Sequence, residues 1–154
     1  MLRRIVFGLV VGTLSATTAF AQAAPAAAAQ AAPTTRLFAS DAGMVLNFIK
    51  PDKTADFEAV IVKLKEALQK SEKPERKQQA ASWKVFKSPD PAAGGNVLYV
   101  FMIDPSVKGA DYTVSTILSE AFPTEVQALY KQYAEAYASG QNFVNLSLVS
   151  DLGK

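Results

Sequence analysis

The sequence predicts one α+β domain, a four-stranded antiparallel sheet with helices packed on one face. Three observations predict it. Apolar residues recur at strand period in four stretches and at helical period in two regions. The stretches follow one another as strand, helix, strand, strand, helix, strand. A Gly-Gly turn joins the middle strands as a hairpin, which suits helices gathered on one side of an antiparallel sheet.

The first strand is residues 44–49, Met44-Val45-Leu46-Asn47-Phe48-Ile49, a branched and aromatic run between Gly43 and Pro51. Thr54 is placed to cap the first helix, whose opening turn carries Asp56 and Glu58, where negative charge suits the dipole. Phe57, Val60, Ile61, Leu64 and Leu68 form its core stripe, with Lys63, Lys65, Glu66 and Lys70 on the wetter side. Pro74 interrupts the pattern, so residues 71–81 read as a helix exit or a short second helix. Trp83-Lys84-Val85-Phe86 is the second strand, ended by the turn-rich residues 88–95. Residues 96–104 form the third, with Val97, Tyr99, Phe101 and Ile103 on one side and Leu98, Val100 and Met102 on the other. Apolar on both faces, this strand belongs in the centre.

The second helical region starts near Asp111 and breaks at Phe122-Pro123. Thr124-Glu125-Val126-Gln127 has the form of a capping box that restarts it. Val126, Leu129, Tyr130, Tyr133 and Tyr137 supply its core stripe, and Gly140 ends it. Residues 142–149 alternate Val144, Leu146 and Leu148 with Asn145 and Ser147, the pattern of a half-buried last strand. The order is the ferredoxin-like βαββαβ plan, in which first and last strands are neighbours. One sheet face carrying large apolar side chains then stays uncovered, which predicts a homodimer through that face.

Ahead of this domain, residues 1–21 read as a secretory signal peptide. Arg3 and Arg4 form the basic head, an uncharged apolar run follows, and Ala19 and Ala21 supply the small residues before a cut after Ala21. Ile5-Val6 lacks the aromatic that usually follows a twin-arginine pair, so the Sec route to a periplasmic or secreted location is expected. Residues 22–35 are rich in Ala, Pro and Gln and read as a flexible tether, leaving 36–154 as a single domain. The 154-residue chain has 16 Lys+Arg and 14 Asp+Glu; without Arg3 and Arg4 the balance is 14 against 14. A neutral mature protein is a poor candidate for non-specific nucleic-acid binding. With no cysteine and no histidine, disulfides, lipidation, the common zinc, copper and haem ligand sets, and Ser-His or Cys-His catalysis are all excluded. No stretch shows the closely spaced Asp/Asn ligands of a calcium loop, and no cofactor is expected.

The element order, the lead-in Lys50-Pro51-Asp52-Lys53-Thr54-Ala55-Asp56-Phe57 and the apolar strand 97–103 resemble the dimeric α/β-barrel superfamily, which includes cofactor-independent monooxygenases of the antibiotic-biosynthesis type. The resemblance spans residues 43–149 and is architectural. It implies that two sheets pair into a barrel and that a ligand sits between sheet and helices. Monooxygenases of this type hold phenolic substrates with Asn, Trp and Tyr side chains. Histidine-dependent haem chemistry found elsewhere in the superfamily does not carry over to a chain without histidine.

Four residues are the candidate ligand contacts. Asn47 and Asn145 interrupt apolar strands, and two amides facing one cavity can orient a carbonyl or phenol, although buried amides more often serve the backbone. Trp83 and Tyr133 can line an aromatic pocket, although a tyrosine stripe at helical spacing is more often core. Residues 63–87 hold eight Lys+Arg and three Glu, which suits a polyanion-binding surface less well than a solvated face. Glu72 and Glu75 lie in an exposed-looking segment where nothing separates their pKa values, so they are set aside as an acid/base pair. Asn145-Leu146-Ser147 matches the glycosylation triplet but falls within a strand. The expectation is a non-catalytic exported homodimer binding a small apolar ligand. The alternative is a cofactor-independent oxygenase acting on an aromatic or quinol-like substrate, and a third reading is a surface interaction module using the basic segment.

Overall fold

A computed structural model describes residues 36–153. The expected signal peptide (1–21) and tether (22–35) lie outside the described residues. The elements are β1 (Ala42–Ile49), α1 (Thr54–Lys70), α2 (Pro74–Ser82), β2 (Trp83–Pro91), β3 (Val97–Ile103), α3 (Val114–Ala121), α4 (Val126–Ala136) and β4 (Asn142–Leu146), with short 3-10 turns before α1 and β3. The strands form one sheet in the order β2-β3-β1-β4, every neighbouring pair antiparallel. This is an α+β fold, as the sequence predicts.

Alternation along β1 decides the faces. Gly43, Val45, Asn47 and Ile49 are buried, while Ala42, Met44, Leu46 and Phe48 are half-buried. Val45 stands opposite Phe101 and Phe143, and Asn47 opposite Tyr99. Phe57, Val60 and Leu64 of α1, Ile117 and Leu118 of α3, and Leu129 and Tyr133 of α4 close the core over this face. Burying a side chain of that size contributes about 1.5–3 kcal/mol. The opposite face presents Met44, Leu46, Phe48, Leu98, Val100 and Met102, all half-buried, with Phe86 at 52% exposure. Among the described residues, no helix is long and apolar enough to cross a membrane.

Helix boundaries depart from expectation where polar side chains settle the backbone. Thr54 does not cap α1; it is the first helical residue, and the 3-10 turn Pro51–Lys53 leads into it. Helix α3 starts at Val114 rather than near Asp111, because the Asp111 carboxylate accepts hydrogen bonds from the Thr113 N–H (2.8 Å) and the Arg36 N–H (3.0 Å). Such local bonding competes with the helix. The capping box before α4 does not form: Glu125 is the N-cap and makes no side-chain cap. Tyr130, expected in the core, is 54% exposed. Helix α4 stops at Ala136, short of Gly140, and the chain turns back to the sheet through an Ile49–Tyr137 bridge and an Ala138 N–H donated to the Phe48 carbonyl (2.9 Å). Strand β4 ends at Leu146, and Leu148 and Val149 beyond it are exposed.

Residues 71–81 resolve into a separate helix, α2, with Pro74 at its start, where a missing N–H costs nothing. Its inner side is polar. Arg76, 3% exposed, forks onto Glu120 (3.1 and 3.0 Å) and also donates to Gln79 Oε1 (2.8 Å) and the Asp111 carbonyl (2.6 Å). This bidentate pair ties α2 to α3. It also holds the Glu120 carboxyl below its ordinary range.

The segment before β1 completes the core. Phe38 lies over Gly43, stacks on Phe143 at 4.1 Å and meets the edge of Tyr112 at 5.1 Å. A Cβ at Gly43 would sit 1.9 Å from two Phe38 ring atoms. The ring is wedged between two other rings and cannot step aside freely. Gly43→Ala is therefore expected to cost about 1–3 kcal/mol in urea unfolding, the range for overpacking a filled core. Unchanged stability would mean that the Phe38 lid moves without penalty.

Candidate functional site

A cleft of about 360 Å³ opens between the sheet and α4. Val45 and Phe101 form its floor, Tyr133 and Tyr137 one wall, Tyr112 another, and Arg36 and Gln141 reach it from the segments before β1 and after α4. The volume lies in the range of small-ligand sites, and aromatic walls with few polar groups are their usual lining.

Behind the tyrosine wall lies a buried polar network centred on Asn47. Its Nδ2 donates to the Val45 carbonyl (3.1 Å) and the Tyr99 carbonyl (3.2 Å). Its Oδ1 accepts from the Tyr137 hydroxyl (2.9 Å) and Gln141 Nε2 (2.8 Å). All four hydrogen-bonding positions of the amide are used. Gln141 Nε2 also lies 2.8 Å from the Tyr137 oxygen and 3.0 Å from the Tyr133 oxygen, and those two hydroxyls are 2.6 Å apart. With two hydrogens, Gln141 serves two of its three acceptors at a time.

Electrostatics fix the protonation of the wall. Burial pushes the Tyr133 hydroxyl up to about 12, against the lowering pull of its bonds to Tyr137 and Gln141. Burial and then the neighbouring Tyr133 drive Tyr137 well above the ordinary tyrosine range. Both hydroxyls stay neutral at physiological pH, so they can donate or accept hydrogen bonds but are poor general bases. The Arg36 charge bears on both, in the lowering direction. Among the described residues, no group of three or more Asp or Glu could hold a metal ion.

The four candidate contacts do not converge. Asn47 is fully buried behind Tyr137 and Gln141. Asn145 pairs with Gly43, four residues along β1 from Asn47 and so about 13 Å away at a strand rise of about 3.3 Å. It is exposed, and its Oδ1 accepts from the Ala39 N–H (2.8 Å), fastening the segment before β1. Trp83 contacts Phe101 and Tyr112 at 5.4 and 5.3 Å and faces a separate groove of about 260 Å³ between α1 and β2. Its Nε1 is buried without a hydrogen-bond partner among the described residues. Tyr133 alone of the four lines the main cleft.

Sequence reasoning missed Arg36, Tyr112 and Gln141. Arg36 stands at the edge of the tether, and Gln141 follows the Gly140 turn, so neither lies on a periodic face. The basic segment is largely neutralised: Lys63, Lys70, Lys73, Arg76 and Lys87 each pair with a glutamate. Glu72 and Glu75 are exposed.

The two asparagines should separate in stability. Asn47→Leu strips the Tyr137 hydroxyl and Gln141 of a buried acceptor and is expected to cost about 1–3 kcal/mol in urea unfolding. Asn145→Ala, at an exposed site, should cost no more than about 1 kcal/mol. Equal costs would mean that the Asn47 amide is not a structural tie. No family model matches the chain, and neither a curated protein nor a solved structure shows significant similarity to it.

Proposed function

We propose that this chain is an exported, non-catalytic homodimer that holds a small apolar ligand in the cleft between sheet and helices. The observation that carries the reading is the aromatic cleft itself. Its floor is apolar, and the polar groups behind its wall are engaged with one another. The oxygenase alternative needs Asn47 and Asn145 to orient one substrate, but Asn145 of β4 stands opposite Gly43, four residues along β1 from Asn47. Export rests on the residues 1–21, whose basic head, apolar run and small-residue cleavage site have the order of a signal peptide.

Dimerisation is supported by the outer sheet face. Met44, Leu46, Phe48, Leu98, Val100 and Met102 make it apolar across the two central strands, and Val144, Leu146 and Phe86 continue it to both edges. A sheet with two apolar faces needs a layer on each. A second copy supplies one by isologous pairing, the barrel arrangement of ferredoxin-like dimers. Leu148, Val149 and Leu152, beyond the end of β4, are also exposed apolar residues.

Native mass spectrometry of protein purified from its own source tests both parts. The expected result is a dimer carrying a retained small molecule with a large apolar part, with Val100→Glu giving a monomer of unchanged circular dichroism. A ligand-free monomer at micromolar concentration would contradict the proposal.

A further inference from the structure

We infer that the ligand is a small aromatic carboxylate, its acid group received by Arg36 and its ring held against the tyrosine wall. This rests on the cleft being the binding site.

Arg36 is the one charged side chain in the described lining. Its guanidinium makes no hydrogen bond or ion pair with any described residue. The acid next to it in the fold does not take that place, since the Asp111 carboxylate accepts from the Arg36 N–H, the Thr113 N–H and the Thr113 hydroxyl instead. Arg36 is half-buried, and its guanidinium offers a planar fork of donors whose geometry matches a carboxylate. Left without a partner beside apolar walls, it favours a ligand that brings the opposite charge.

The walls specify the rest of the molecule. Tyr133 and Tyr137 stand nearly perpendicular, 84° apart with centroids at 5.0 Å, and form a corner in which a flat ring can meet one edge and one face. Phe101 and Val45 lie beneath it. The neutral tyrosine hydroxyls carry no charge to repel an anion.

Arg36 is also dispensable to the fold through its side chain. Its N–H donates to Asp111 (3.0 Å) and Thr113 (3.2 Å), and its carbonyl accepts from Tyr112 (2.9 Å). These backbone bonds fix the segment whatever side chain the position carries.

Calorimetric titration of the purified protein with 2-naphthoate and its uncharged isostere 2-naphthamide tests the inference. The acid is expected to bind about tenfold more tightly than the amide, the increment of one charge-assisted contact. Arg36→Gln should bring the acid down to the amide's affinity and leave the amide unchanged, while Arg36→Lys keeps most of the preference. Equal affinities in the parent, or an Arg36→Gln variant that holds the acid as tightly as the parent, would overturn the carboxylate inference and leave the cleft reading standing. No binding of either compound would overturn both.

Discussion

A fully buried amide in the middle of a central strand constrains everything around it. Asn47 occupies a helix-facing position that alternation reserves for an apolar side chain, and leaving its polar atoms unpaired would cost several kcal/mol. Its nitrogen is met by carbonyls of β1 and β3. Its oxygen must be met from across the core, by Tyr137 and Gln141. That requirement is consistent with α4 ending at Ala136, since one more helical turn would carry Tyr137 away from the sheet. The Ile49–Tyr137 bridge and the Ala138 bond to Phe48 hold the turned-back segment in place.

The cleft follows from the same arrangement. Turning back after α4 leaves Tyr133 and Tyr137 side by side over Phe101, with room between them and the segment holding Arg36. The network behind the wall stiffens it, because each hydroxyl is tied to another fixed group. Such preorganisation suits binding, since little side-chain entropy remains to be lost when a ligand enters. It suits acid–base chemistry poorly, because burial keeps both hydroxyls protonated far above neutral pH. Among the described residues that line the cleft, Arg36 is the one that carries a charge.

Strand period made the sheet legible from sequence. The two-sided apolar strand 97–103 lies in the interior of the sheet, and β1 and β4 pair. Helix ends were harder to read, because they depend on bonds between distant residues. Asp111 holds back the start of α3 by bonding Thr113 and Arg36, the latter 75 positions earlier. Arg76 and Gln79 bury a polar side of α2 that periodicity assigns to solvent. In the site, Asn47 was visible as a polar residue in an apolar strand. Its pairing with Asn145 rested on strand adjacency, whereas the register sets Asn145 opposite Gly43. Gln141 and Arg36 were invisible because loop residues carry no period, and only the folded chain brings them to Tyr133.

Amide-resolved NMR titration with 2-naphthoate tests most directly whether the cleft built around Asn47 is the binding site. The account predicts shift changes concentrated at Arg36, residues 112–115, residues 130–137 and Gln141. Changes centred instead on the α1–β2 groove near Ile61, Leu68 and Trp83, or on the outer sheet face at Leu46 and Val100, would contradict it.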